Sequence, residues 1–186
     1  MFAKFILGCT LCICLCATAQ PLFPIKTSPA DPAFKLLPLG EIKAGGWLKK
    51  QIEQNLNGFT GYLDSLAPDL LLNDDIYAAK RISAKVKSKD LGAKSDGGEW
   101  QVQFLWWNSE TQGNWLDGLL RSAAVVNDTA MLNKAAFHVR HILASQDADG
   151  YLGIYDSALR YNFNNENGEL WSKATILRFL LGWYEL

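Results

Sequence analysis

The sequence predicts an all-α protein, the first helices of a barrel built from helical hairpins, on three observations. Apolar residues recur at helical spacing through the second half of the chain. Mostly apolar helices alternate with an amphipathic one, the pattern expected when helices form an inner and an outer ring. Five of the six prolines lie between Pro21 and Pro38, so the helical part begins only after them.

Ahead of those prolines, Lys4 precedes an apolar run from Phe5 to Ala19 that ends in the small-x-small triplet Ala17-Thr18-Ala19 before Gln20. A positive charge, an apolar stretch and a small-residue cleavage site are the three regions of a secretory signal peptide, so residues 1–19 read as an export signal and the product as periplasmic or secreted. All four cysteines (Cys9, Cys12, Cys14 and Cys16) lie inside it. Once it is removed, the chain can form no disulfide, no thiolate metal site and no cysteine nucleophile. No second long apolar stretch follows, so no membrane span is expected.

Residues 20–43 read as an extended, proline-rich lead-in, and residues 44–186 as the helical domain. After Gly45-Gly46, the residues Trp47, Leu48, Ile52 and Leu56, then Phe59, Tyr62 and Leu63, predict one helix and a shorter one, broken by Gly58 and Gly61. Residues 68–103 are polar and glycine-containing and predict an irregular connection. A second main helix is expected from Trp115, through Leu116, Leu119, Leu120, Ala123 and Ala124, with Asp117 and Arg121 its only charges.

Asp128 is placed to cap a third helix whose apolar stripe is Met131, Leu132, Ala135, Ala136, Val139, Ile142 and Leu143. Asp147-Ala148-Asp149-Gly150 then reads as a turn. A fourth helix, from Glu169 to Leu186, is apolar nearly all round and is expected to be buried on most sides. A full ring needs about six hairpins and this segment supplies roughly two, so it is expected to be the N-terminal, incomplete part of the domain.

Charge is nearly balanced, 18 Lys and Arg against 19 Asp and Glu, so broad nucleic-acid binding is not implied. The basic stretch from Lys80 to Lys94 has no interleaved aromatic and reads as a solvated loop. Nothing matches a dinucleotide loop, a phosphate loop or a zinc-binding His-Glu-x-x-His helix. His138 and His141 are three residues apart without a third ligand and read as an outer-face pair. Asp147 and Asp149 read as turn formers, because a calcium loop needs more oxygen donors than this segment offers.

If neighbouring helices run antiparallel, the starts of the second and fourth lie at one end, beside the loops 106–114 and 154–168. A funnel there would be lined by Trp106, Trp107, Glu110, Gln112, Asp117, Tyr155, Glu166 and Glu169. Flat aromatic faces stack on sugar rings while carboxylates and amides take up hydroxyls, so the lining suits a carbohydrate. Glu110, Gln112, Trp115, Asp117 and Glu169 are the candidate substrate-binding residues. At the starts of their helices, Asp117 and Glu169 would also complement the helix dipole without touching substrate. Paired carboxylates for hydrolysis would come from Glu110 with Glu166 or Glu169.

Several segments carry a resemblance. Residues 37–51, Leu-Pro-Leu-Gly-Glu-Ile-Lys-Ala-Gly-Gly-Trp-Leu-Lys-Lys-Gln, and 57–63, Asn-Gly-Phe-Thr-Gly-Tyr-Leu, resemble the opening of the β-L-arabinofuranosidase-like glycoside hydrolases, family 127 and relatives of the six-hairpin glycosidase superfamily. The segment 115–118, Trp-Leu-Asp-Gly, resembles that family's motif, as does 142–151, Ile-Leu-Ala-Ser-Gln-Asp-Ala-Asp-Gly-Tyr. Gly168-Glu-Leu-Trp171 stands where the family usually has His-Glu-Leu-Tyr. The resemblance implies an exported enzyme acting on arabinose-containing glycans, with a six-hairpin helical barrel. It also implies a zinc-bound cysteine nucleophile and a glutamate acid/base located beyond Leu186, so this segment by itself would be inactive, with no cofactor of its own. The other readings are a noncatalytic carbohydrate-binding or scaffold remnant, and a polysaccharide lyase or unsaturated-glycuronide hydrolase on the same plan.

Overall fold

In the computed structural model of the protein, the described residues are 34–83, 105–161 and 168–186. Residues 1–19, read above as an export signal, most of the proline-rich lead-in, Lys85 to Lys94 and Glu166 lie outside them. Among the described residues there are six helices and no strand, and all six belong to one unit, Leu37–Leu186. No described helix is long and apolar enough to cross a membrane.

The first helix, α1 (Gly46–Leu56), buries only Leu56, which closes its end against the next turn. α2 (Phe59–Leu66) follows after two residues and carries a kink at Tyr62. Gly61 of α2 lies directly on the Leu56 carbonyl, where no Cβ could fit. α3 (Pro68–Leu71) is a single turn, with proline at a start position where its missing N–H is not needed.

α4 (Leu105–Val126) begins about ten residues before the expected start at Trp115. Residues 106–114 are therefore helix rather than funnel loop, and Asp117 lies mid-helix, away from any first-turn dipole role. Asn108, Ser109, Gly113 and Asn114 read as helix breakers because Ser, Asn and Gly favour turns in isolation. Here packing overrides propensity, because Ser109 and Gly113 let a second helix approach closely.

That second helix is α6 (Glu169–Tyr184), with which α4 makes its most extensive helix contact. Ser109 meets Ser172 hydroxyl to hydroxyl. A Cβ on Gly113 would lie 2.8 Å from Thr175 Oγ1, and one on Gly182 3.3 Å from Leu120 Cδ2. Arg178 reaches Asp117 Oδ2 at 2.9 Å. Contacts 109–172, 113–175, 117–178 and 120–182 rise together in number, so α4 and α6 run parallel. α5 (Thr129–Ala144) returns antiparallel between them in sequence, after a two-residue link, with its His138 ring against Trp115 of α4. Asp128 caps α5 as expected, accepting from the Met131 N–H at 3.1 Å.

The face of α6 that packs is not the expected one. Its buried residues are Glu169, Ser172, Thr175, Ile176, Phe179 and Gly182, whereas Leu170, Trp171, Leu177 and Leu181 are about half exposed. Close approach to α4 selects the small-residue stripe, because interaxial distance is set by the side chains at the contact. Around this pair the core gathers Leu56, Ile76, Leu119, Leu120, Ile154 and Phe179, each essentially inaccessible. Burying such a side chain fully contributes about 1.5–3 kcal/mol.

Both ends of the α4–α6 pair are finished by other segments. At the C-terminal end the lead-in returns its hydrogen bonds: Leu39 N–H donates to Glu185 O at 2.9 Å and Ala44 N–H to Val125 O at 2.9 Å. Lys43 Nζ donates to Ala124 O at 2.9 Å. Gly40 takes φ +84° and passes so close that its Cβ would sit 3.0 Å from Ala124 O. At the other end, residues 75–83 and 151–161 cross. Ile82 and Tyr155 form a parallel bridge, with Ile82 N–H donating to Ile154 O at 2.7 Å and Asp156 N–H to Ile82 O at 3.1 Å.

Candidate functional site

Parallel packing brings the starts of α4 and α6 to the same end. Trp106 in the first turn of α4 lies on the Cα of Gly168, the residue before α6, in contact too close for any Cβ. Gly168 also has φ +66°, a left-handed conformation that a side chain would strain. The Gly-Glu-Leu sequence at 168–170 thus has a local reason: a histidine at 168 would collide with the Trp106 ring. Trp107 packs edge-on against Trp106, ring centres 5.6 Å apart, and is 46 % exposed. Glu110, one turn further, stands on the same side of the helix as Trp106 and is half-buried.

Glu169 opens α6 as expected, but it is fully buried. Its carboxylate accepts from the Tyr161 backbone N–H at 2.8 Å and from Lys173 Nζ at 2.9 Å. Lys173 in turn lies over two rings, 4.6 Å from the Tyr151 centroid and 4.9 Å from that of Tyr161. Tyr151 is buried; its hydroxyl accepts from the Tyr155 N–H at 3.2 Å and is hydrogen-bonded to Glu169. Burial is the main reason the Tyr151 phenol is pushed above its ordinary range, with the negative Glu169 adding to it and the Tyr155 N–H and Arg160 opposing. A buried carboxylate costs several kcal/mol unless paired. Here an ammonium, an amide and a phenol pair it, so Glu169 holds the end together from beneath.

Tyr161, 62 % exposed and with φ +61°, and Trp107 are aromatic surfaces open to solvent at this end, as is Trp171 in the first turn of α6. Tyr151, Tyr161 and Lys173 were not among the expected site residues. The i, i+4 spacing of Glu169 and Lys173 and the tyrosine immediately after the Asp-Gly turn are the signals that point to them. Tyr155, expected as lining, is buried in the core.

The remaining expected residues are committed to the fold. Gln112 Nε2 donates both its protons, to Leu70 O at 2.9 Å and Asp74 O at 2.8 Å, fastening the segment after α3 to α4. Trp115 Nε1 donates to Thr60 O at 2.7 Å and anchors α2. Asp117 bridges Arg121 within α4, at 2.8 Å, and Arg178 of α6. Only Glu110 and Glu169 of the five stand at the shared end. Glu110 makes no hydrogen bond or ion pair with another described residue.

Two further expectations change. His138 is not at the surface: it is half-buried between Trp115 and Phe137, and burial lowers its pKa to about 4. His141 is exposed and paired with Asp75 at 2.8 Å. Arg81, read as part of a solvated basic loop, is largely buried and bonds Asp147 at 2.7 Å and Ser145 O at 2.6 Å. Asp147 also receives Arg160, and these arginine hydrogen bonds, Arg160 first, hold its carboxyl below the usual range. Asp147 and Asp149 are turn formers as expected, with Gly150 at φ +87° and Asp149 accepting from the Tyr151 N–H at 3.0 Å. No cluster of metal-ligating side chains occurs among the described residues.

Comparison with protein-family models, with curated proteins and with solved structures returns no match to this chain.

Proposed function

We propose that the chain is the helical-hairpin portion of an exported glycoside hydrolase acting on arabinose-containing or related plant glycans. Its sugar-contacting surface is the shared end of α4 and α6. The observation that carries this reading is the parallel packing, which sets Trp106, Trp107, Glu110 and Tyr161 at one end over the buried Glu169–Lys173 pair. Flat aromatic faces with an available carboxylate are suited to sugar rings and hydroxyls. The half-exposed apolar face of α6, with Leu170, Trp171, Leu177 and Leu181, fits a further hairpin stacking beside it in a (α/α)6 barrel.

Residues 20–186 contain no cysteine, so the thiolate nucleophile implied by the resemblance has to come from outside them. The firm tie of Glu169 to Lys173 and Tyr161 favours, as second reading, a module that binds glycan without cleaving it. Arabinan-derived oligosaccharides titrated against the protein should alter tryptophan emission, with an affinity on the order of 1 mM, and Trp107→Ala should abolish the change. Release of arabinose by a longer form carrying the cysteine nucleophile and the glutamate acid/base separates the enzyme from the binding module. No saturable emission change with any arabinan, xylan or pectin fragment overturns both.

A further inference from the structure

A cavity of about 150 Å³ lies on the flank of α4, between the segment after α3 and the helix α5. Its floor is Leu71, Leu116 and Ile142, and Phe137 forms one wall. A cavity of that size admits a benzene-sized body. Asp74 and Asp75 stand at its edge with Gln112, Tyr77, His138 and His141.

The hydrogen-bonding inventory of this cavity is one-sided. The Gln112 amide has spent both protons on Leu70 O and Asp74 O, and the Tyr77 hydroxyl donates to Ser109 O at 3.2 Å. His141 Nε2 is engaged with Asp75 Oδ1. His138, neutral at pH 7, offers one N–H at most. Against this, Asp74 uses Oδ2 for the Asn108 amide at 2.6 Å, and Asp75 uses Oδ1 for His141 and Oδ2 for the Ala79 N–H at 3.1 Å, while each carboxylate oxygen can take more than one hydrogen bond. Acceptors therefore outnumber free donors, and the field is negative.

We infer that this cavity binds a small apolar body carrying a primary ammonium group, with the ring or alkyl part on Leu116, Ile142 and Phe137 and the ammonium donating to Asp74 and Asp75. The ammonium supplies the donors that the lining lacks. It also relieves the repulsion between the two neighbouring carboxylates; burial chiefly pushes the Asp74 carboxyl up, against the Asn108 hydrogen bond, and the Asp75 charge adds to it. Lys80 lies near enough to Asp74 to offset part of this field, and His141 part of that at Asp75, so the affinity is modest, on the order of 1 mM. The inference is independent of the glycan reading, since the cavity shares none of Trp106, Trp107, Glu110 or Tyr161.

The test is a charge series on one shape: benzylammonium, benzyl alcohol and benzoate, each titrated against the full chain with methyl and aromatic NMR resonances as readout. Benzylammonium should saturate and shift Leu116, Ile142 and Phe137. Benzyl alcohol should bind at least about tenfold more weakly, a difference of the size of one hydrogen bond to a charged group, and benzoate should not bind. Asp74→Asn should weaken benzylammonium about tenfold while leaving benzyl alcohol unchanged. Equal binding of the alcohol and the ammonium, preference for benzoate, shifts confined to other residues, or no saturation by benzylammonium at tens of millimolar would each overturn the inference. The ligand series on the unmodified protein decides the matter even if the variant does not fold.

Discussion

The two ends of the α4–α6 pair are built differently. At the C-terminal end, the lead-in segment lays Leu39, Lys43 and Ala44 onto the carbonyls of Glu185, Ala124 and Val125, and Gly40 presses against Ala124. These are the carbonyls that a helix end leaves unsatisfied, so that end is closed mainly by backbone bonding, with the Lys43 ammonium as a side-chain donor. At the N-terminal end, besides the Ile82–Tyr155 backbone bridge, the finishing groups include side chains: Trp106 on Gly168, Glu169 under Tyr161, and Lys173 between two tyrosines. Side chains can present faces, charges and donors outward, which sealed backbone cannot. On the proposed reading, one end serves stability and the other recognition.

The largest effect should come from wedging the pair apart. In Gly113→Val, the first added carbon meets Thr175 Oγ1 at 2.8 Å and the Thr175 carbonyl carbon at 3.0 Å, so backbone has to move. We expect a loss of about 3 kcal/mol, read as the midpoint of urea unfolding, together with loss of any glycan response because both ends separate. An unchanged midpoint would mean that the helices are not in contact at Gly113.

Acid should act next, through His138 on the flank of α4. Its folded pKa of about 4 lies below the unfolded value near 6.5, so the unfolded chain binds the proton first. Stability from this group is complete above pH 6.5 and falls as the pH drops from there towards 4, by about 2 kcal/mol between pH 6.5 and 5. His138→Phe keeps the ring packing on Trp115 and removes the titration, so its unfolding midpoint should lose that much less over the same interval. Asp74, whose carboxyl is pushed up, works in the opposite sense, but it is present in both proteins and cancels from the difference.

Smaller still, Lys43→Met at the closed end should cost about 1 kcal/mol or less, the value of one hydrogen bond in a well-exposed setting, and leave oligosaccharide binding untouched. Trp107→Ala at the open end should act on binding instead. Stability should fall by about 1 kcal/mol through loss of the edge contact with Trp106, while binding of arabinan fragments weakens about tenfold through loss of the stacking face. If Lys43→Met reduced binding and Trp107→Ala did not, the assignment of roles to the two ends would be reversed.

Much of this was legible in the sequence, and the parts that were not have physical reasons. Asp128 as cap, the Asp147–Gly150 turn and the apolar stripe of α5 depend on neighbours a few residues away, and each appears where expected, except that Leu143, read as part of the stripe, is half exposed. The start of α4 was hidden because Ser109, Gly113 and Asn114 are poor helix formers locally and good ones only against α6. The same stripe, Ser109, Gly113, Leu116, Leu120, continues at helical spacing once small residues are counted as contacts. Likewise Leu170, Leu177 and Leu181 looked like core, yet close approach gives the buried face to Ser172, Thr175 and Gly182. Gln112, Trp115 and Asp117 have the chemistry of sugar ligands, and only their partners Leu70, Asp74, Thr60, Arg121 and Arg178, distant in sequence or set by helix phase, show how they are used.

The parallel run of α4 and α6 underlies both ends, and cysteine cross-linking tests it most directly. With the four native cysteines replaced by serine, Ser109→Cys paired with Ser172→Cys should oxidise to a single intramolecular disulfide, identified by mass spectrometry of the linked peptides. Ser109→Cys paired with Gly182→Cys should stay reduced. A disulfide in the second pair and none in the first would mean an antiparallel pair and would contradict the account.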